Sequence, residues 1–334
     1  GTLLSAYFIL AANSWMQHPV AYTINTERNR AELTNIFEVL FQKTAIVTFL
    51  HTIPSAFFAA GAFMAGISAY LLLKKKDSEM ARPTLKVGLV TVIISFVLVG
   101  VSGDAIGKVM TEQQPMKMAA AEALYETTDS APFSLFTVGT LDGSRPVFQI
   151  DIPSVLSFLA TGDFGSTVEG VNDLEAQYDQ KYGAGDYTPN IPLAYWSFRL
   201  MIGFGAVAFF LAIFTLWRIR KGGELPEGRW FIRSMIAMPF IPLAATSFGW
   251  IFTETARQPW AVFGLMRTED GVSAVVSAGS VLFTMIVFTL LYGVLAVIEV
   301  GLTLKVIKNG PAPELDYENP QLGGSSDKPL VMSY

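Results

Sequence analysis

The chain has 334 residues, 51% of them hydrophobic and 15% charged, against about a quarter charged in cytosolic domains, so the balance is that of a membrane protein. It has no cysteine, which excludes disulfides, thiolate zinc sites, iron–sulfur clusters and cysteine nucleophiles, and its two histidines, His18 and His51, are too few for a multi-histidine metal site within the chain. A formal charge of −5 argues against nucleic acid as a partner.

Residues 1–12 are apolar, with neither an initiator Met nor a basic flank, and do not read as a signal peptide. Residues 1–16 read instead as the end of a truncated membrane span, with earlier spans missing, followed by an outer connection over 17–43. A spanning helix needs about 20 mainly apolar residues. Stretches at 44–73, 87–103, 192–217 and 230–252 qualify, and 272–306 is long enough to tilt or to extend past the bilayer. None alternates with period two, so a membrane β-barrel is not expected. The expected fold is therefore an all-α, polytopic transmembrane helical bundle with one long outward-facing loop.

Lysine and arginine set the orientation. Lys74, Lys75, Lys76, Arg82 and Lys86 follow the first full span within the segment 44–103. Arg218, Arg220, Lys221, Arg229 and Arg233 follow the third, and Lys305 and Lys308 close the segment 192–308. These flanks read as cytoplasmic. The connection 104–191 holds only Lys108, Lys117, Arg145 and Lys181 against thirteen acidic residues, and reads as outward. It shows no sustained period; a strand or hairpin is expected at 146–152 and a short helix over 114–126, where Ala119, Ala120, Ala121, Ala123 and Leu124 follow Pro115. The end, 309–334, is rich in Pro, Gly and Ser and is expected to be a disordered cytoplasmic tail.

Ionisable residues inside spans are expensive and point to function. At 1.5 Å of rise per residue, His51 lies about 10 Å and Met201 about 14 Å from the outer ends of their spans. An imidazole and a thioether at matched depth form an axial pair for haem iron. The same residues also suit a hydrogen-bonded packing histidine and a core methionine. Arg199 lies two residues nearer the surface than Met201. Glu254 and Arg257, three apart at the outer end of the fourth full span, can share a helix face, as a plain ion pair or as part of a site. Glu299, near the cytoplasmic end of the last span, suits an interfacial carboxylate or a proton relay.

Several local words then carry a family resemblance. Arg257-Gln258-Pro259-Trp260 resembles the G-R-Q-P-W signature of the large, haem-carrying subunit of cytochrome bd-type quinol oxidases, and Asn13-Ser14-Trp15-Met16-Gln17 resembles its N-G-W-M-Q segment. Thr48-Phe49-Leu50-His51-Thr52, Phe198-Arg199-Leu200-Met201 and Lys117-Met118-Ala119-Ala120-Ala121-Glu122 match three further words in the family's order. The resemblance implies a plasma-membrane respiratory subunit of nine spans, with three haems: low-spin haem b, high-spin haem b and haem d. It implies His51 and Met201 as axial ligands of the low-spin haem b, with Arg199 near its propionates. Glu254 would ligate one of the two high-spin haems, b or d, with Trp250 packed among the haems and Arg257 offsetting propionate charge. Lys117 and Glu122, with Asp104 and Gln114 beside them, would form the quinol site in the outward loop. Quinol would be oxidised at the outer face, dioxygen reduced to water, and charge separated without a pump. The implied partners are a second large membrane subunit and, as an optional addition, a small single-span subunit, besides quinol, dioxygen and the lipid membrane.

Two departures stand out. Ala256 occupies the place of the family's Gly, and the family's other high-spin haem ligand, a histidine near its N-terminus, has no counterpart here. The loop is of the short kind. Apart from the resemblance, the buried charges would also suit a secondary transporter or channel, or a haem b anchor that binds quinol without reducing oxygen.

Overall fold

The computed structural model describes residues 1–28, 30–74, 78–140, 143–273 and 275–309. It falls into two units, Gly1–Val275 and Val276–Tyr334. The expected tail beyond residue 309, and Lys75 and Lys76 of the basic turn, lie outside the described residues.

The first unit opens with helix α1 (Thr2–Gln17) and a two-stranded antiparallel pair, β1 (Tyr22–Asn25) and β2 (Arg30–Leu33). A short helix α2 (Ile36–Leu40) follows, its first amides capped by the Asn35 side chain. Helices α3 (Lys43–Leu73) and α4 (Ser78–Gln113) then form a long antiparallel hairpin. Small residues let their backbones close up, as membrane helices require in the absence of a hydrophobic driving force. Ala62, Ala65 and Ala69 meet Leu85, Leu89 and Val92, all completely buried. At the crossing, a Cβ on Gly88 would lie 2.8 Å from the Ala65 nitrogen and the Gly61 carbonyl oxygen, so only glycine fits there. Ala208 and Ala212 of helix α8 (Ile191–Ile219) complete this core.

Helix α4 runs ten residues past the expected boundary at 103, to Gln113. Hydropathy marks where a span leaves the apolar layer, whereas the helix continues until Gln114-Pro115 interrupts it. Asp104 consequently sits in α4, bonded to Lys108 one turn on at 2.8 Å. The stretch read as one span over 230–252 is two helices, α9 (Arg229–Ala237) and α10 (Ile241–Thr255), bent by 51°. Pro239 lies in the break and Pro242 in the first turn of α10, and neither has an amide donor to continue α9.

The long connection is folded. It holds α5 (Pro115–Glu122), β3 (Thr128–Asp129), β4 (Phe133–Gly139), β5 (Pro146–Ile152), α6 (Val155–Thr161), β6 (Thr167–Val168) and α7 (Val171–Tyr182). Strand β5 forms at the expected place and pairs with β4, and β3 pairs with β6. Elements this short have no sustained period of their own, and their order comes from a shared core. Leu156, Ala160, Val168, Val171 and Leu174 pack with the three alanines of α5, Tyr195 of α8 and Phe252 of α10. The cap is thereby fixed to the ends of the spans. A last antiparallel pair, β7 (Trp260–Val262) and β8 (Met266–Arg267), follows α10.

The second unit contains helix α11 (Ala278–Asn309), which is long and apolar enough to cross a membrane and carries Glu299. With α3, α4, α8 and the bent α9–α10 pair, the described residues offer four spans, or five with the pair counted as one.

Candidate functional site

The site is organised by α5. Pro115 at its first turn presets the helical φ, and Ala119, Ala120 and Ala121 favour propagation. Ala123 ends the helix in the left-handed region, at φ 50°. All seven residues from Met116 to Glu122 are buried, which puts Lys117 at 5% and Glu122 at 3% exposure. Fully buried Lys and Glu are rare unless paired. Glu122 has a cationic partner and Lys117 neutral hydrogen-bond acceptors, on opposite sides of the helix.

Glu122 faces α8. Arg199 grips its carboxylate with both guanidinium nitrogens, at 2.6 and 3.3 Å, and also donates to the Ser134 carbonyl at 2.6 and 2.9 Å. The guanidinium lies against the rings of Phe133, Tyr195 and Phe198, within 4.7 to 5.3 Å of their centres. Burial pushes the Glu122 carboxyl up to about 7, against the pull of Arg199.

Lys117 faces α1 and α10. Its ammonium donates to Gln17 Oε1 at 3.1 Å and to the Thr253 carbonyl at 3.2 Å, and stands over the Phe252 ring. Burial pushes it down to about 7; Arg257 adds to that effect and Glu254 opposes it. Gln114, also buried, donates to the Gln17 carbonyl at 2.8 Å.

Glu254, on the next residue after Thr253, accepts from Asn13 Nδ2 at 3.0 Å on one oxygen and from Arg257 at 2.5 Å on the other. Asn13 in turn accepts from Gln17 Nε2 at 2.7 Å. The ion pair read from spacing is therefore present, embedded in a larger network. His51 bonds Ser102 of α4 through Nδ1 at 3.1 Å. Ser102 Oγ also lies 2.7 Å from the Leu98 carbonyl, so this contact engages Nδ1, and Nε2 is the ring nitrogen on the other side. Met201 packs on Gly249, where a Cβ would stand 2.9 Å from the thioether sulfur. Trp250 is 45% exposed.

Six of the predicted residues thus fall into two polar groups on either side of α5: Glu122 with Arg199, and Lys117, Gln114, Glu254 and Arg257 linked through Gln17 and Asn13. Asp104 is engaged separately with Lys108, and His51 and Met201 have different neighbours. Arg199, expected beside a propionate, is bonded to Glu122. Asn13, Gln17 and Ser134 were not foreseen as site residues. The first two lie in the N-S-W-M-Q word at helical spacing, which is the signal that marks them.

A haem carboxylate fits the donors left over. Arg257 is 8% exposed, and among the described residues its Nε and Nη1 have no partner; neither has Trp260 Nε1, 6% exposed, in the same narrow cavity. A buried polar group left unmatched costs about 1–3 kcal/mol. Three such donors beside Lys117 suit an anionic, oxygen-rich group.

Comparison with known proteins follows the same line. The family model for cytochrome bd terminal oxidase subunit I matches residues 1–311. Cytochrome bd ubiquinol oxidase subunit 1 of Bacillus subtilis (strain 168) is 38% identical over 321 residues, covering 96% of this chain and 68% of that protein. The putative cytochrome bd menaquinol oxidase subunit I of the same organism is 29% identical, covering 94% of this chain and 68% of that protein. Cytochrome bd-II ubiquinol oxidase subunit 1 of Escherichia coli (strain K12) is 26% identical, covering 93% and 71%. The solved bd oxidase of Geobacillus thermodenitrificans superposes with a TM-score of 0.80 at 25% identity, over 93% of this chain and 68% of that chain.

Proposed function

The chain belongs to the cytochrome bd terminal oxidase subunit I family, and from that membership we propose that it is the quinol-oxidising, haem-carrying subunit of a respiratory oxidase of a bacterial plasma membrane. One observation carries the reading. A short buried helix presents two ionisable groups, each bonded to a helix that bears a proposed haem ligand: Glu122 to Arg199, two residues before Met201, and Lys117 to the carbonyl preceding Glu254.

His51 Nε2 and Met201 Sδ would hold a low-spin haem b, and Glu254 a high-spin haem, b or d; Arg257 and Trp260 would receive a propionate. The bound haems supply electron transfer and the reduction of dioxygen to water. The protein's own groups prepare the quinol. Glu122, buried and near neutrality, accepts the quinol hydroxyl proton, and Arg199 balances the charge that remains. The ammonium of Lys117 bonds the opposite oxygen. The cap carrying these groups would face outward, so protons are released there while those for water enter from the cytoplasm, charging the membrane without a pump. A second large membrane subunit, with a small single-span one where present, would complete the enzyme.

The reading is tested on the purified membrane complex by its dithionite-reduced minus oxidised spectrum, expected to show haem b bands and a red-shifted chlorin band. Absence of any haem would refute it, and haem b without the chlorin would restrict it to an all-b enzyme or a quinol-binding anchor. His51→Ala should remove the low-spin signal selectively, and Met201→Leu should lower that haem's potential or turn it high-spin. Lys117→Ala and Glu122→Ala should each depress quinol oxidation sharply, while haem content and oxygen consumption with an artificial donor stay near normal.

A further inference from the structure

Asn13 and Gln17 stand four residues apart on one face of α1, between the buried ammonium of α5 and the carboxylate of Glu254. A carboxamide has one acceptor end and one donor end, and here each is oriented by its neighbour. Lys117 donates to Gln17 Oε1 at 3.1 Å, Gln17 Nε2 to Asn13 Oδ1 at 2.7 Å, and Asn13 Nδ2 to Glu254 Oε1 at 3.0 Å. Every donor points the same way, from cation to anion. Turning Gln17 over would set its NH₂ against the ammonium, and turning Asn13 over would set its carbonyl against the carboxylate. Both amide orientations are therefore dictated by the two charges. Bonds aligned in this sense polarise one another where they are shielded from water, as at Gln17, 8% exposed, whereas the Glu254 side chain at the other end is 41% exposed.

We propose that Gln17, through Asn13, is a positioning residue that couples the ammonium of the quinol loop to the carboxylate proposed to ligate a high-spin haem. The inference rests on the reading of Lys117 and Glu254 given above. While Lys117 holds Gln17, Asn13 is held against Glu254, and the bond it donates draws electron density from that carboxylate. Releasing Gln17 lets Asn13 turn, and a carboxylate with one donor fewer is a stronger ligand that favours the oxidised iron. The quinol pocket and the haem potential are linked by two amides.

The test uses three variants of the whole oxidase complex, read by quinol kinetics and by a spectroscopic redox titration. Gln17→Leu loses both bonds; the quinol KM is expected to rise about ten-fold, the scale of one hydrogen bond to a charged group, and the potential of the Glu254-linked haem to fall. Gln17→Glu still accepts from Lys117 but has nothing to donate to Asn13, so KM should stay near the parent value while the potential still falls. A role in folding alone would move the two readouts together in both variants. The coupling is overturned if Gln17→Leu shifts only one readout, or if Gln17→Glu restores both. Glu254→Ala separates this outcome from failure of the underlying assignment: a full complement of unperturbed haems in that variant would remove the ligand role of Glu254, and the coupling with it.

Discussion

The molecule buries two layers that are held together in opposite ways. In the middle of the bundle, α3, α4 and α8 meet through Ala62, Ala65, Ala69, Leu85, Leu89, Val92, Ala208 and Ala212, and the buried polar side chains there are small hydroxyls such as Thr215, bonded to the Leu211 carbonyl of its own helix. At the cap end, Lys117, Glu122, Arg199, Arg257, Gln17 and Gln114 are buried or nearly so and held in two hydrogen-bond networks, one on each side of α5. The first layer depends on close backbone approach, where small residues allow dispersion contacts along the full helix length. The second depends on completeness, because a buried charge whose partner is removed is worse than no charge at all. A layer built on completeness is costly to keep, and function is the reason to keep it.

The comparison breaks most visibly at Arg199. Arg199→Leu leaves the Glu122 carboxylate and the Ser134 carbonyl without their donor, and should cost about 3–5 kcal/mol. The thermal midpoint of the purified complex should fall accordingly. Adding Glu122→Gln should recover part of the loss, since the second change removes the stranded charge. If the double variant is less stable than the single one, the pair is not what Arg199 serves.

A smaller effect is expected in the apolar layer. In Gly88→Ala the new methyl meets two backbone atoms of α3, the Ala65 nitrogen and the Gly61 carbonyl oxygen. Neither can swing away, so the helices must part, at about 1–3 kcal/mol. The midpoint should drop while haem spectra and quinol KM per folded enzyme remain at parent values. A change in either would mean that packing at the α3–α4 crossing reaches the polar layer.

The two layers were also unequally legible in the sequence. Spans follow from composition alone, and the chemistry-bearing words were visible as local strings. Their partners were not. Gln17 meets Lys117 across 100 residues, and Asn13 meets Glu254 across 241; spacing along one helix carries no information on which distant segment arrives beside it. Arg199 shows the same limit. Its position along α8 says nothing of the loop that folds back to set Glu122 against its guanidinium. The bend between α9 and α10 and the extra turns of α4 escaped for a different reason, since apolar content reports the solvent around a helix and not where its hydrogen bonds stop.

The dependence on pH separates the two charges of α5 by its sign. Glu122 is held up to about 7 by burial, so the folded protein retains a proton there that the unfolded chain has released. Stability attributable to Glu122 should therefore decline as pH rises from the ordinary carboxyl range towards about 7. Lys117 is held down to about 7, so above that value the unfolded chain binds the extra proton and stability should climb with pH. Thermal midpoints measured across this range should show a minimum near neutrality. Glu122→Gln should flatten its acidic side and Lys117→Met its alkaline side. The catalytic profile runs differently, because only the carboxylate form of Glu122 can take the quinol proton. Quinol kcat/KM should climb with pH towards about 7 as Glu122 ionises and fall beyond it as Lys117 loses its ammonium form, and the rising limb should be lost in Glu122→Gln. A rising limb that survives Glu122→Gln would mean that another group, not the one bonded to Arg199, receives the proton.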